Sequence, residues 1–109
     1  MADLQWNKEF ALEQTAGDEE LLAELLVLFK DSSASDFAQL QQAVTAQDAE
    51  GVARAAHSLK GASASLGIEG IRQLAMAMET DARAASVRVA QDRLMEMEEL
   101  LAQMQELES

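Results

Sequence analysis

Apolar residues recur along this chain at the alternating three-and-four spacing of amphipathic helices. From residue 18 to 46, Leu22, Leu25, Leu26, Phe29, Ser33, Phe37, Leu40 and Val44 keep one phase, with Asp18 placed as the cap. Asp31-Ser32-Ser33-Ala34-Ser35-Asp36 would ordinarily mark a loop, because these side chains compete for backbone hydrogen bonds. The apolar phase survives across that patch, which predicts one uninterrupted helix. Gln47-Asp48 reads as a tight connection, and Asp48 caps a helix over 48–66 whose stripe is Val52, Ala56, Leu59, Ser63 and Leu66, ending near Gly67. A helix over 68–84 turns Ile71, Leu74, Ala75, Met78 and Ala82 inward and fades in Ala84-Ala85-Ser86. Over 87–107, Ala90, Leu94, Met97, Leu101 and Met104 have the rhythm of a bundle seam. Ahead of these, Asp3 is the expected cap of a short helix over 4–14 that carries Trp6 and Phe10 as i, i+4 partners and stops at Gly17. Four long helices with short links predict an all-α fold: an antiparallel up-and-down four-helix bundle with a short N-terminal capping helix, forming one domain over 1–109.

Composition narrows the class further. Proline is absent, glycine numbers 5 in 109 residues, and the apolar fraction of 49% suffices for a single core. A formal net charge of −12 repels phosphate backbones and anionic lipid surfaces, so neither nucleic acid nor membrane is an expected partner. With no cysteine and 1 histidine there is no thiolate or histidine-rich metal site, and no metal or other cofactor is expected. No basic leader with an apolar core and no long apolar run occurs, which reads as a cytoplasmic protein. A Gly-rich phosphate loop is missing, so ATP binding is not expected. Serines stand near the histidine, but the strand-turn-helix elbow of a serine hydrolase is absent. Met78, Met97 and Met104 read as core filling, and the acidic clusters Asp18-Glu19-Glu20 and Glu96 to Glu99 as solvated helix faces.

The single histidine is the residue that departs from a bland surface reading. At about 100° per residue, His57 falls roughly 140° from the centre of its helix's apolar stripe and so looks outward. Lys60 and Gly61 lie one turn further along the same side, and Arg54 one turn back. Gly61 is costly in mid-helix, by roughly 1 kcal/mol relative to alanine. A sequence that keeps a glycine there has a reason to let something approach the backbone. Glu79 and Arg83, i and i+4 on the next helix, read from spacing alone as a surface ion pair.

The run Ala56-His57-Ser58-Leu59-Lys60-Gly61-Ala62-Ser63-Ala64-Ser65-Leu66-Gly67, followed by Leu74 and Met78-Glu79, resembles the histidine-containing phosphotransfer (HPt) domains of two-component phosphorelays. Asp18 to Phe29 and Asp48 to Arg54 also look like that family's second helix and the lead into its third, so the resemblance covers nearly the whole chain. It implies that His57 accepts a phosphoryl group from a receiver-domain aspartate and passes it on, with no kinase activity of its own. By the family's pattern Glu79 accepts a hydrogen bond from one ring nitrogen of His57, the alternative being its pair with Arg83. Lys60 would neutralise charge on the transferring group, and Gly61 would clear the way for the incoming receiver. Arg54, Ser58 and Ala64 are expected to shape the contact surface, although the family's pattern assigns Arg54 and Ser58 no fixed role. The implied partners are response-regulator receiver domains and a hybrid sensor kinase, any Mg²⁺ belonging to the receiver, and a monomer is expected. Ser65 stands where the family often has asparagine, and Met78 where leucine commonly precedes the glutamate. An all-α adaptor that binds a receiver or kinase without being phosphorylated is the alternative of a different class. The Met1 start favours an independent protein over a domain of a larger sensor kinase.

Overall fold

The computed structural model describes residues 2–108, so Met1 and Ser109 lie outside the described residues. Five helices follow one another: α1 (Lys8–Gln14), α2 (Glu19–Thr45), α3 (Ala49–Ser65), α4 (Glu69–Arg83) and α5 (Arg88–Gln105). Each of α2 to α4 packs on its successor, and α5 closes the ring on α2, while α1 lies against α2. α2 runs straight through the Asp31–Asp36 patch, because Ser33 is buried in phase with Phe29 and Leu40, and its hydroxyl is satisfied by Lys30 O at 3.1 Å.

Side-chain caps start three of the helices: Asn7, Asp18 and Asp48 accept from Phe10 N, Leu21 N and Gly51 N at 3.0–3.1 Å. Asn7, rather than Asp3, is therefore the first cap, and Trp6 precedes α1 instead of riding on it. The reason is a tertiary contact. Residues ahead of α1 form an extended strap across the α3–α4 turn, where Trp6 pairs with Ile68 as an antiparallel bridge and the indole Nε1 donates to Leu66 O at 2.9 Å. Strap carbonyls then do for α4 what no side chain does: Gly70 N donates to Leu4 O at 2.8 Å and Glu69 N to Gln5 O at 3.2 Å. α5 is served from a distance too, since Asp81 on α4 accepts from Val89 N at 3.0 Å and from the Ser86 hydroxyl at 2.9 Å.

The first four helices each stop through a residue in the left-handed region, at Ala16, Gln47, Gly67 and Ala85, with φ between 55° and 69°. After α3 the motif is complete, Ile68 N reaching back to Ser63 O at 2.9 Å and Gly67 N to Ala64 O at 3.3 Å. These compact stops hold the helices antiparallel.

α2 is 27 residues long and α3 only 17. At about 1.5 Å per residue, α2 therefore overhangs α3 by several turns. That overhang corrects one expectation: Leu25 keeps the apolar phase yet is 36% exposed, because no helix lies beside it on that side. Leu21, Val27 and Leu28 are exposed with it.

Strap and α4 meet so closely at Gly70 that a Cβ there would overlap Asp3 O and stand 2.8 Å from Leu4 O. Gly70→Ala is expected to lower unfolding free energy in urea by roughly 1–3 kcal/mol, despite alanine's better helix propensity. A variant as stable as the parent would mean that the strap does not seat on α4.

Candidate functional site

The α3–α4 pair brings together the residues that spacing alone left on two helices. Glu79 lies on the buried face of α4 beside Met78 and is only 5% exposed. Its Oε1 takes the ammonium of Lys60 at 2.6 Å. Its Oε2 takes His57 Nδ1 at 2.9 Å and the Arg83 guanidinium, Nη2 at 2.6 Å and Nε at 3.1 Å. The two alternatives for Glu79, a bond to His57 or an ion pair with Arg83, are thus realised together on one oxygen.

This carboxylate is ionised. The Lys60 hydrogen bond pulls its pKa down most, burial pushes the other way, and the bonds from Arg83 and His57 add to the lowering, leaving it at about 2 against an ordinary 4.5. A carboxylate only accepts, so the hydrogen between it and His57 sits on Nδ1. In the neutral imidazole the lone pair is then left on Nε2. The His57 side chain is 62% exposed, and among the described residues Nε2 has no hydrogen-bond partner. The site therefore presents an oriented nitrogen nucleophile of one defined tautomer at the surface of a rigid helix pair.

Around it, Gly61 is exposed, and a Cβ there would meet nothing within 4 Å. Its glycine is not required by packing. Ser65 Oγ donates to Gly61 O at 3.2 Å, so this exposed side chain bends back onto α3 and keeps its surface low, while on the core side the fully buried Ser63 hydroxyl donates to Leu59 O at 2.6 Å. Ala64 is half-buried beside them. Ser58 donates to Asp36 Oδ2 on α2 at 2.7 Å, a link across 22 positions that the sequence did not announce. Arg54 is exposed but stays outside the Glu79 cluster, lining a shallow cleft of about 300 Å³ with Gln39, Gln42 and Asp48. Arg83 and Asp36 are the members that residue-by-residue reading undervalued. The i, i+4 spacing from Glu79 was the available signal for the first, and nothing local marks the second. No group of His, Cys, Asp and Glu among the described residues is arranged to hold a metal ion.

The lowered pKa has a stability consequence. A carboxyl whose folded-state pKa is depressed stabilises the fold above its unfolded value and loses that contribution as the pH falls toward the folded one. Glu79→Gln is thus expected to be less stable than the parent at neutral pH and to lack the part of the parent's acid-induced decline that lies between about pH 4.5 and pH 2. Urea titrations across that range read this directly, and parallel curves would remove Glu79 from the pH dependence.

The family model described as "Hpt domain" matches residues 24–108. Comparison with the curated proteins finds no match. Among solved structures, the histidine-containing phosphotransfer protein B (HptB) of Pseudomonas aeruginosa PAO1 superposes with a TM-score of 0.83 at 24% identity, covering 92% of this chain and 87% of that one. The HPT domain of the Hpt sensor hybrid histidine kinase from Shewanella superposes with a TM-score of 0.80 at 24% identity, covering 94% and 89%. At that identity the likeness of the structures is one of fold. The family match spans most of the chain, and the protein belongs to the Hpt domain family, the histidine phosphotransfer proteins of two-component phosphorelays.

Proposed function

We propose that His57 is the residue that carries the phosphoryl group, and that its Nε2 is the atom that accepts it. The observation that carries this reading is the fixed orientation of the ring: Nδ1 is held by the ionised, buried Glu79 while Nε2 stands exposed. Hpt domains are phosphocarriers rather than kinases, and they interact with receiver and kinase domains. In the proposed step, the Nε2 lone pair attacks the phosphorus of a receiver's aspartyl phosphate. The N–P bond forms as the P–O bond breaks, and its electron pair leaves on the aspartate carboxylate. The ring becomes cationic, and its Nδ1–H remains on Glu79, which stabilises that charge. The Lys60 ammonium, one turn from His57 on the same helix, neutralises the transferring oxygens. Reversal of the same step delivers the group to a second receiver.

The surface fits such an encounter. Asp36, Ser32, Leu28, Leu25 and Leu21 occur at i, i+4 and i+3 intervals and form one row along α2, and Asp36 bonds to Ser58 next to His57. The row therefore leads from the histidine into the exposed leucines of the overhang. By that register Leu28 lies about 14 Å along the bundle from His57, inside the footprint of an ordinary protein interface. Arg54, Arg83 and Lys60 put positive charge beside His57 on an otherwise strongly acidic chain, which suits the acidic pocket of a receiver. The partners so assigned are response-regulator receivers and a hybrid sensor kinase, met by a monomer in the cytoplasm, with residues 1–109 acting as one phosphotransfer domain. Support for these is physical: the seam of α5 is consumed within the bundle, and no helix among the described residues is long and apolar enough to cross a membrane.

The test is transfer of radiolabelled phosphate from a panel of phosphorylated receiver domains. Label that is lost in acid, survives base and is missing from His57→Gln is the expected result, with Lys60→Ala slower by about tenfold or more, as for loss of a charged transition-state contact. If receivers bind but none donates, the chain is an adaptor and His57 is not a phosphoryl carrier.

Gly61 separates docking from folding. Gly61→Ala is expected to raise stability by roughly 0.5–1 kcal/mol, since alanine gains helix propensity and meets no atom. Gly61→Leu is expected to fold equally well yet slow transfer, by raising the dissociation constant for the receiver. Unimpaired transfer by the leucine variant would place the docking surface elsewhere.

A further inference from the structure

We propose that Arg83 is a positioning residue: it keeps Glu79 neutralised so that Lys60 is able to leave that carboxylate and follow the phosphoryl group onto His57. The proposal rests on the reading of His57 as the phosphoryl carrier.

The division of contacts on Glu79 motivates it. Lys60 alone occupies Oε1, whereas Oε2 is shared by the imidazole and the forked guanidinium of Arg83. Lys60 thus carries two duties at once. It is a counter-charge of a buried carboxylate, and it is the ammonium one turn from His57 on the same helix. An ammonium that is the sole counter-charge of a buried carboxylate cannot leave it cheaply, because an uncompensated buried charge is strongly penalised. Arg83 removes that restraint. It comes from α4, four residues beyond Glu79, so its hold does not depend on how the α3 side chains move. It also gives two N–H groups to Oε2 from one planar fork.

Charge counting gives the same result. At rest, Glu79 is matched by two cations, Lys60 and Arg83, one positive charge in excess. Phosphoryl transfer adds a positive ring and about two negative charges on the phosphoryl oxygens, which brings the cluster close to neutrality. Lys60 then moves toward the oxygens, while Arg83 and the Nδ1–H stay on Glu79. Without Arg83 the loaded cluster would hold an unmatched negative charge, and Lys60 would have to serve two anions. Of the other charged groups around His57, Arg54 on α3 and Asp36 on α2 touch neither oxygen of Glu79.

The experiment is a double-mutant cycle on the rate of label transfer from the receiver that donates fastest to the parent protein. Arg83→Gln removes the charge but keeps a hydrogen-bond donor for Glu79, and thermal melts exclude unfolded variants. Arg83→Gln is expected to slow transfer about tenfold, the scale of one charge-assisted contact. Arg83→Lys should restore most of the rate. In the Lys60→Ala background the Arg83→Gln change should cost little more, because its effect runs through Lys60. Independent, multiplicative effects of the two substitutions would overturn the proposal, since Arg83 would then act on the phosphoryl group or the fold by itself. An unchanged rate for Arg83→Gln, or for Lys60→Ala, would overturn it as well. Label appearing on His57→Gln would instead defeat the reading of His57, an outcome visible in the same experiment.

Discussion

A buried, ionised carboxylate is the constraint on which the rest of this molecule turns. Glu79 is at home in the core only because three side chains from two helices meet it, and those contacts fix the ring of His57 and bind α3 to α4. A carboxylate in such a place without partners would protonate or unfold its surroundings. With them it holds a negative charge at neutral pH and forces the imidazole into one tautomer. Local chemistry and helix packing are therefore the same interaction seen from two sides.

That arrangement demands that α4 keep its rotation and height relative to α3. The turn between them is short and ends α3 through Gly67 in the left-handed region, after which the strap clamps it from outside. Leu4 and Gln5 offer their carbonyls to the first amides of α4, and Trp6 reaches Leu66. A segment far in sequence from His57 thus fixes the start of the helix that carries Glu79. At the other end of α4, Asp81 serves as cap for α5 and couples the last helix to the same frame.

Much of this was legible in the sequence. The unbroken phase from Leu22 to Val44 outweighed the serine-rich patch, Asp18 and Asp48 cap where their positions indicated, and His57 points away from the stripe of Val52, Ala56 and Leu59. What escaped has physical causes. Periodicity reports which face of a helix is apolar, not whether a neighbour is present to cover it, and so Leu25 was assigned to the core although α3 ends too soon to reach it. Backbone carbonyls carry no side-chain signature, which hid the strap and made Asp3 look like the first cap. Two of the left-handed stops fall on Gln47 and Ala85, where no glycine marks them, and a third on Ala16, one residue ahead of Gly17. The Glu79–Arg83 spacing was visible, but that both Arg83 and His57 converge on one oxygen is a fact of tertiary geometry, as is the bond between Ser58 and Asp36.

The overhang of α2 carries a lesson about modularity. In the proposed mechanism every group that touches the reacting nitrogen or its carboxylate belongs to α3 or α4, while the outward leucines of α2 contribute nothing to that chemistry and little to the core. In that reading, substitutions along this row alter which receivers are tolerated and leave the proposed nucleophile undisturbed. A relay built on such a bundle can change its wiring by drift on one helix, and keep its reaction unchanged on the other two.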